Sequence, residues 1–174
     1  EVMHRHAGGL LAAVVTLSVT ALLPACARNP VTGKMEFMLL STEEEIAMGR
    51  RADEDIVASY GLYEDPGLEA YIQGIGEGLA AVSDRPDLPY HFKILDTPVI
   101  NAFALPGGWT YVTRGILAHM GSEAELAGVI GHEIGHVTAR HSAARYSAAA
   151  ITRLGLGIGA AVSQDFRRYA GFAQ

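Results

Sequence analysis

Apolar residues recur along this chain with two different periods. Leu68, Tyr71, Ile72, Ile75, Leu79 and Val82 follow one another at three- and four-residue steps, the spacing of one helix face. Asp65 and Pro66 mark the start of that helix, with proline at the first helical position, where its missing N–H does no harm. An earlier helix begins at Ser41. Glu44, three residues on, completes a capping box, and Ile46, Gly49, Ala52, Ile56 and Val57 supply a buried side. Glu43, Glu44 and Glu45 place negative charge at the positive end of this helix, which explains them without a metal. Residues 84–89 break the pattern. Residues 90–95 and 99–105 are rich in β-type side chains, Pro106-Gly107-Gly108 turns the chain, and residues 109–112 form a third strand. A short helix runs through Met120. Ser122 and Glu125 then form a second capping box, ahead of Leu126, Val129, Ile130, Ile134 and Val137 at helical spacing. Helices, a small mixed sheet and a final helix in this order predict an α+β fold.

That final helix carries the chemistry. His132-Glu133-Ile134-Gly135-His136 is an H-E-x-x-H motif. Positions i and i+4 share a helix face, so His132 and His136 direct two imidazoles at one metal ion. Glu133 sits one residue round, where a carboxylate reaches a metal-activated water as general base. The motif alone turns up by chance on the order of once in two hundred chains of this length, so its context matters. Gly128, Gly131 and Gly135 each disfavour the helix by roughly 1 kcal/mol, and three of them predict a neighbour packed very close.

The motif and its surroundings resemble the gluzincin metallopeptidases of the CAAX-prenyl-protease and HtpX type. The likeness is to their periplasmic lipoprotein branch, which includes proteases assisting outer-membrane β-barrel assembly. Four stretches carry it: Asn29-Pro30-Val31-Thr32-Gly33-Lys34, the acidic run of residues 41–49, Asn101-Ala102-Phe103-Ala104-Leu105-Pro106-Gly107-Gly108, and residues 131–141. The resemblance implies a zincin-like fold. It also implies one zinc ion per chain held by His132 and His136, with Glu133 as general base. The third ligand is then a glutamate on a later helix, expected beyond Gln174. Residues 41–174 are accordingly the N-terminal part of a zinc metallopeptidase domain. Within the chain, Glu125 lies seven residues before His132 on the same face, roughly 10 Å along the axis and too far for one zinc shell. His141, five residues past His136, falls about 140° off the ligand face. Asp165 is the remaining alternative, if the glycine-rich stretch before it folds back. The strand at Asn101, Ala102 and Phe103 is implied to line the cleft, where an exposed edge binds peptide through main-chain hydrogen bonds.

Composition narrows the setting. A formal charge of −6 and the lack of a basic stripe exclude a nucleic-acid surface. His4, Arg5 and His6 precede an apolar run at residues 10–23, too short to span a bilayer comfortably. Leu23-Pro24-Ala25 then leads to Cys26, the only cysteine, which excludes an internal disulfide. The arrangement resembles a lipoprotein signal. It predicts a signal peptide at residues 1–25, lipidation of Cys26, and a lipidated, extended tether through residue 40. With no aspartate after Cys26, sorting by resemblance is to the outer membrane, facing the periplasm. Residues 147–163 are rich in alanine and glycine, and suit a hairpin over the cleft or an interfacial segment. The expected function is a zinc-dependent endopeptidase of the bacterial periplasm in outer-membrane protein quality control. Its partners are polypeptides, among them outer-membrane proteins and their assembly machinery, and the membrane through the lipid anchor. The alternative from another class is a non-catalytic lipoprotein chaperone or assembly factor on the same fold.

Overall fold

The computed structural model describes residues 26–153. Two short strands, β1 (Cys26–Arg28) and β2 (Met35–Phe37), pair as an antiparallel hairpin. Helices α1 (Thr42–Tyr60) and α2 (Pro66–Ala81) follow. Next come β3 (His91–Leu95), β4 (Ala102–Ala104), a 3-10 turn (Pro106–Gly108) and β5 (Trp109–Thr113). The short α3 (Arg114–Leu117), α4 (Glu123–Thr138) and α5 (His141–Arg153) complete the order. The signal-peptide reading, Asp165 and the stretch from residue 154 on lie outside the described residues.

The helix starts follow their caps. Ser41 Oγ accepts from the Glu44 amide while Glu44 answers with a carboxylate on the Ser41 amide. Asp65 accepts from the Leu68 amide. At α4 only half of the expected box forms. Ser122 accepts from the Glu125 amide, but the Glu125 carboxylate takes the amide of Gly121 instead.

The main sheet has the order β3-β5-β4, with β5 parallel to β3 and antiparallel to β4. Alternation along the strands splits the core in two. Phe92, Ile94 and Val112 point to one face and pack with Ile72 and Ala80 of α2 and Leu126, Ile130 and Ile134 of α4. Trp109 and Tyr111 point to the other, against Ile46 and Ile56 of α1. The sheet is therefore a middle layer between α1 and the α2–α4 pair. On the α1 side, Lys93 and the Tyr111 hydroxyl both donate to Asp53, which gives this layer a satisfied polar contact.

Two small residues decide how closely the helices approach. A Cβ at Gly49 would sit 2.1 Å from the Pro106 carbonyl oxygen, so α1 presses directly on the 3-10 turn. A Cβ at Gly76 would meet the Phe92 ring at 2.4 Å. That close approach turns the Ile72–Gly76–Ala80 line of α2 inward. Tyr71 and Val82, expected in the buried stripe, are instead 44% and 84% exposed. Tyr71 uses its exposure to donate a hydrogen bond to Glu123 at the start of α4.

Three further expectations change. Residues 27–40 are not an extended tether. Asn29 is buried, and its side chain donates to Glu36 and to the Ala139 carbonyl while accepting from the amides of Val31 and Thr32. This docks the hairpin on the end of α4, and the Leu39 amide donating to Ser147 ties the following residues to α5. The second strand is shorter than residues 99–105, because Val99 and Ile100 are exposed and only three residues pair with β5. The glycines of α4 have no close neighbour. A Cβ at Gly128, Gly131 or Gly135 would meet nothing within 4 Å among the described residues. No described helix is long and apolar enough to cross a membrane.

Candidate metal centre

Helix α4 sinks Leu126, Ile130, Glu133, Ile134 and Val137 into the molecule and leaves His132 exposed beside Gly128 and Gly135. The i, i+4 spacing does what helical geometry requires. The Nε2 atoms of His132 and His136 stand 3.1 Å apart, with the rings edge to face. Burial, and the neighbouring His132, lower the pKa of His136 against the opposing pull of Glu133. That direction favours the neutral ring, the form that donates a lone pair.

Glu133 is only 8% exposed and makes no hydrogen bond or ion pair with any described residue. Its carboxylate oxygens nevertheless keep access to solvent, since the Thr110 hydroxyl is the one fully buried side-chain polar atom without a partner among the described residues. It stands on the helix turn that presents the two imidazoles.

His141 is the unexpected member. Its predicted position, well off the ligand face, required α4 to continue in register. It does not. Ala139 caps the helix and Arg140 takes a left-handed conformation, φ 57°, so α5 starts in a new direction. The turn returns the His141 ring to His136, with the two Nδ1 atoms 2.7 Å apart. Burial, and next the charge on His136, lower the pKa of His141 as well. No glycine or proline marks this turn in the sequence. What holds it comes from far away. Arg140 donates from Nε to Glu45 at 2.5 Å and from Nη2 to the Leu40 carbonyl at 2.6 Å. Arg85 binds the other Glu45 oxygen at 2.8 Å. Glu45, read along the chain as one of three helix-start acids, is 1% exposed and lies between two guanidiniums.

The residues expected to bind substrate are split. Phe103 stacks on Tyr111 with ring centroids 4.9 Å apart, and Ala102 packs against the core, so both side chains make contacts within the protein. The Asn101 carbonyl accepts from the Thr113 amide, and Leu105 donates to Trp109. Antiparallel pairs alternate, so Asn101, Phe103 and Leu105 face β5, and Ala102 and Ala104 turn their backbone N–H and C=O groups to the outer edge. No described strand pairs with that edge. The far side of the sheet differs, since residues 61–63 cover β3 through hydrogen bonds to Ile94 and Asp96. Ala104, Leu105 and Pro106 also line a water-sized cleft with His136 and Ser142, which brings the end of β4 beside His136. Cys26 is exposed at the start of β1, away from any of this chemistry in sequence.

The model of peptidase family M48 matches residues 66–173. The chain belongs to peptidase family M48. It is 38% identical over 122 residues to a beta-barrel assembly-enhancing protease of Yersinia pestis, covering 70% of this chain and 25% of that protein. Identity to the beta-barrel assembly-enhancing protease of Escherichia coli is 31% over 134 residues, 75% of this chain and 28% of that protein. The mitochondrial metalloendopeptidase OMA1 of Schizosaccharomyces pombe is 33% identical over 117 residues, 66% of this chain and 35% of that protein. The chain spans about a quarter to a third of the length of these relatives.

M48 peptidases are zinc-dependent in general. The residues here fit zinc. Tetrahedral coordination at Zn–N distances near 2.05 Å sets two ligand nitrogens about 3.3 Å apart. The 3.1 Å between the two Nε2 atoms is close to that, and the Glu133 carboxylate, without a partner among the described residues, is near enough to act on the charge of His136. The described residues offer these two nitrogen donors and no group of three or more metal-binding side chains.

Proposed function

We propose that the chain carries the front part of a zinc-dependent endopeptidase site, with His132 and His136 as ligands and Glu133 as general base. The observation that carries this is the pair of convergent imidazoles with Glu133 on the same helix turn, its carboxylate without a partner among the described residues. When bound, zinc supplies Lewis acidity toward a peptide carbonyl and makes water acidic enough to ionise near neutral pH. Glu133 then takes the water's proton and returns it to the leaving amine. The outer edge of β4, through Ala102 and Ala104, aligns the peptide in extended form beside His136. The third ligand comes from outside the described residues.

The setting we propose is the periplasmic face of the outer membrane, with polypeptide substrates drawn from outer-membrane proteins in quality control and assembly. Support comes from the named relatives and the lipoprotein-like sequence before Cys26. Cys26 is exposed, as a lipidated residue must be, and its place at the start of β1 leaves little slack between anchor and domain.

The test is Glu133→Gln in the full-length protein. Proteolysis of an unfolded outer-membrane protein should disappear while zinc stays bound. Full activity in the variant would overturn the assignment. A wild-type protein that holds zinc and its client but never cleaves it would favour the chaperone reading. Radiolabelled palmitate incorporation, lost in Cys26→Ala, tests the anchor.

A further inference from the structure

We infer that His141 is a positioning residue for His136, and that the Glu45–Arg140 contact exists to hold the turn that puts it there. The inference rests on reading His132 and His136 as the ligand pair. If His136 gives its Nε2 lone pair to a metal, its ring proton must reside on Nδ1. That Nδ1–H faces Nδ1 of His141 at 2.7 Å. The His141 nitrogen is then the acceptor, and His141 carries its own proton on Nε2. The contact selects the tautomer of His136 and stops its ring from swinging. Metal-binding histidines usually meet a carboxylate or a backbone carbonyl at their second nitrogen. Here an imidazole takes that role.

The same geometry excludes His141 as a third ligand on the shared ion. It approaches the nitrogen of His136 on the opposite side of the ring from the Nε2 that converges with His132.

The surroundings show that this contact is built, not incidental. Arg140 is the only described residue other than glycine with positive φ. That conformation is uncommon for a residue with a Cβ and persists where neighbours over-determine it. Three long-range contacts do so. Glu45 binds the Arg140 side chain, the Leu40 carbonyl binds its Nη2, and buried Asn29 donates to the Ala139 carbonyl at 3.0 Å. The helix ends where it does so that the next residue can fold back.

The test uses the full-length protein with ¹⁵N-labelled histidine and Zn²⁺ as the only probe. His141→Ala removes the acceptor. His141→Asn places an amide oxygen near the position of Nδ1 and should restore it. In the metal-free wild type, long-range ¹H–¹⁵N spectra should show His136 as the Nδ1–H tautomer. His141→Ala should shift the population toward Nε2–H and weaken zinc binding about 10- to 100-fold, the usual effect of losing such a partner. His141→Asn should recover both to within a few-fold. An unchanged tautomer and unchanged affinity in His141→Ala would overturn the inference. So would an affinity loss in His141→Ala that His141→Asn fails to rescue while melting normally. His136→Ala separates this from the underlying reading, because zinc binding that survives that variant removes His136 as a ligand altogether.

Discussion

Replacing Glu45 with glutamine takes one negative charge from between two guanidiniums and leaves the shape nearly unchanged. Its carboxylate is 1% exposed and each arginine side chain 10% exposed, so water cannot compensate. Removing one partner of a buried ion pair typically destabilises by about 3–5 kcal/mol, because the remaining charge stays buried. The glutamine carbonyl can still accept from one arginine, which puts the expectation near the lower end, about 3 kcal/mol. The amide nitrogen then faces the other guanidinium, donor against donor. For the roughly 130 residues described the unfolding entropy is about 0.27 kcal/mol/K, so Tm should fall by about 11 °C. Thermal unfolding followed by circular dichroism measures this, with exposed Glu54→Gln as a control that should not move. Because Arg140 holds the turn between α4 and α5, amide exchange at residues 138–142 should also accelerate. A Tm change below about 3 °C would refute the argument, since it would mean that the two arginines find equal partners without Glu45.

Glycine substitutions separate crowded from open backbone. Gly128→Ala should stabilise by about 0.5–1 kcal/mol through helix propensity, because its Cβ meets nothing, and destabilisation in urea would instead reveal another part of the protein on that face. Gly49→Ala should cost about 1–3 kcal/mol or more, because its Cβ would lie 2.1 Å from the Pro106 carbonyl oxygen, and a neutral result would contradict the α1 packing. Asn29→Ala should destabilise by about 2–3 kcal/mol and speed amide exchange in residues 26–37, since it strips partners from Glu36, Ala139 and two loop amides. Partial burial against Trp109, and next the Lys93 ammonium, lower the pKa of His91 against the attraction of Asp53. An NMR titration should place its midpoint below 6.5. The unfolded chain then takes the proton first, so this residue favours the fold above pH 6.5 and progressively loses that effect as pH falls. A midpoint at or above 6.5 would reverse the sign.

Much of the molecule was readable along the chain because its causes are local. The caps at Ser41, Asp65 and Ser122 act within one turn, the helical stripes repeat within one element, and H-E-x-x-H places two imidazoles by helical phase alone. Errors appeared where a local rule met a distant neighbour. Tyr71 matched the stripe of α2, but the approach of Gly76 to Phe92 turned it out to solvent. The reciprocal bond of Glu125 went to Gly121 because two donors lay within reach of one carboxylate. Three glycines in α4 suggested a close neighbour that the described residues do not supply.

By itself, then, the sequence determined where α1, α2 and α4 start, which strands alternate, and which two histidines and one glutamate share a turn. The tertiary structure decided three other matters: the burial of Glu45, the return of His141 to His136, and the docking of the Asn29 hairpin. The physical reason is sequence separation. Glu45 meets Arg140 and Asn29 meets Ala139 across 95 and 110 positions, and no residue near Arg140 announces a left-handed turn. Only when the sheet brings these segments together does a charge at a helix start become a buried anchor, and a histidine in the wrong helical phase become a partner of the site.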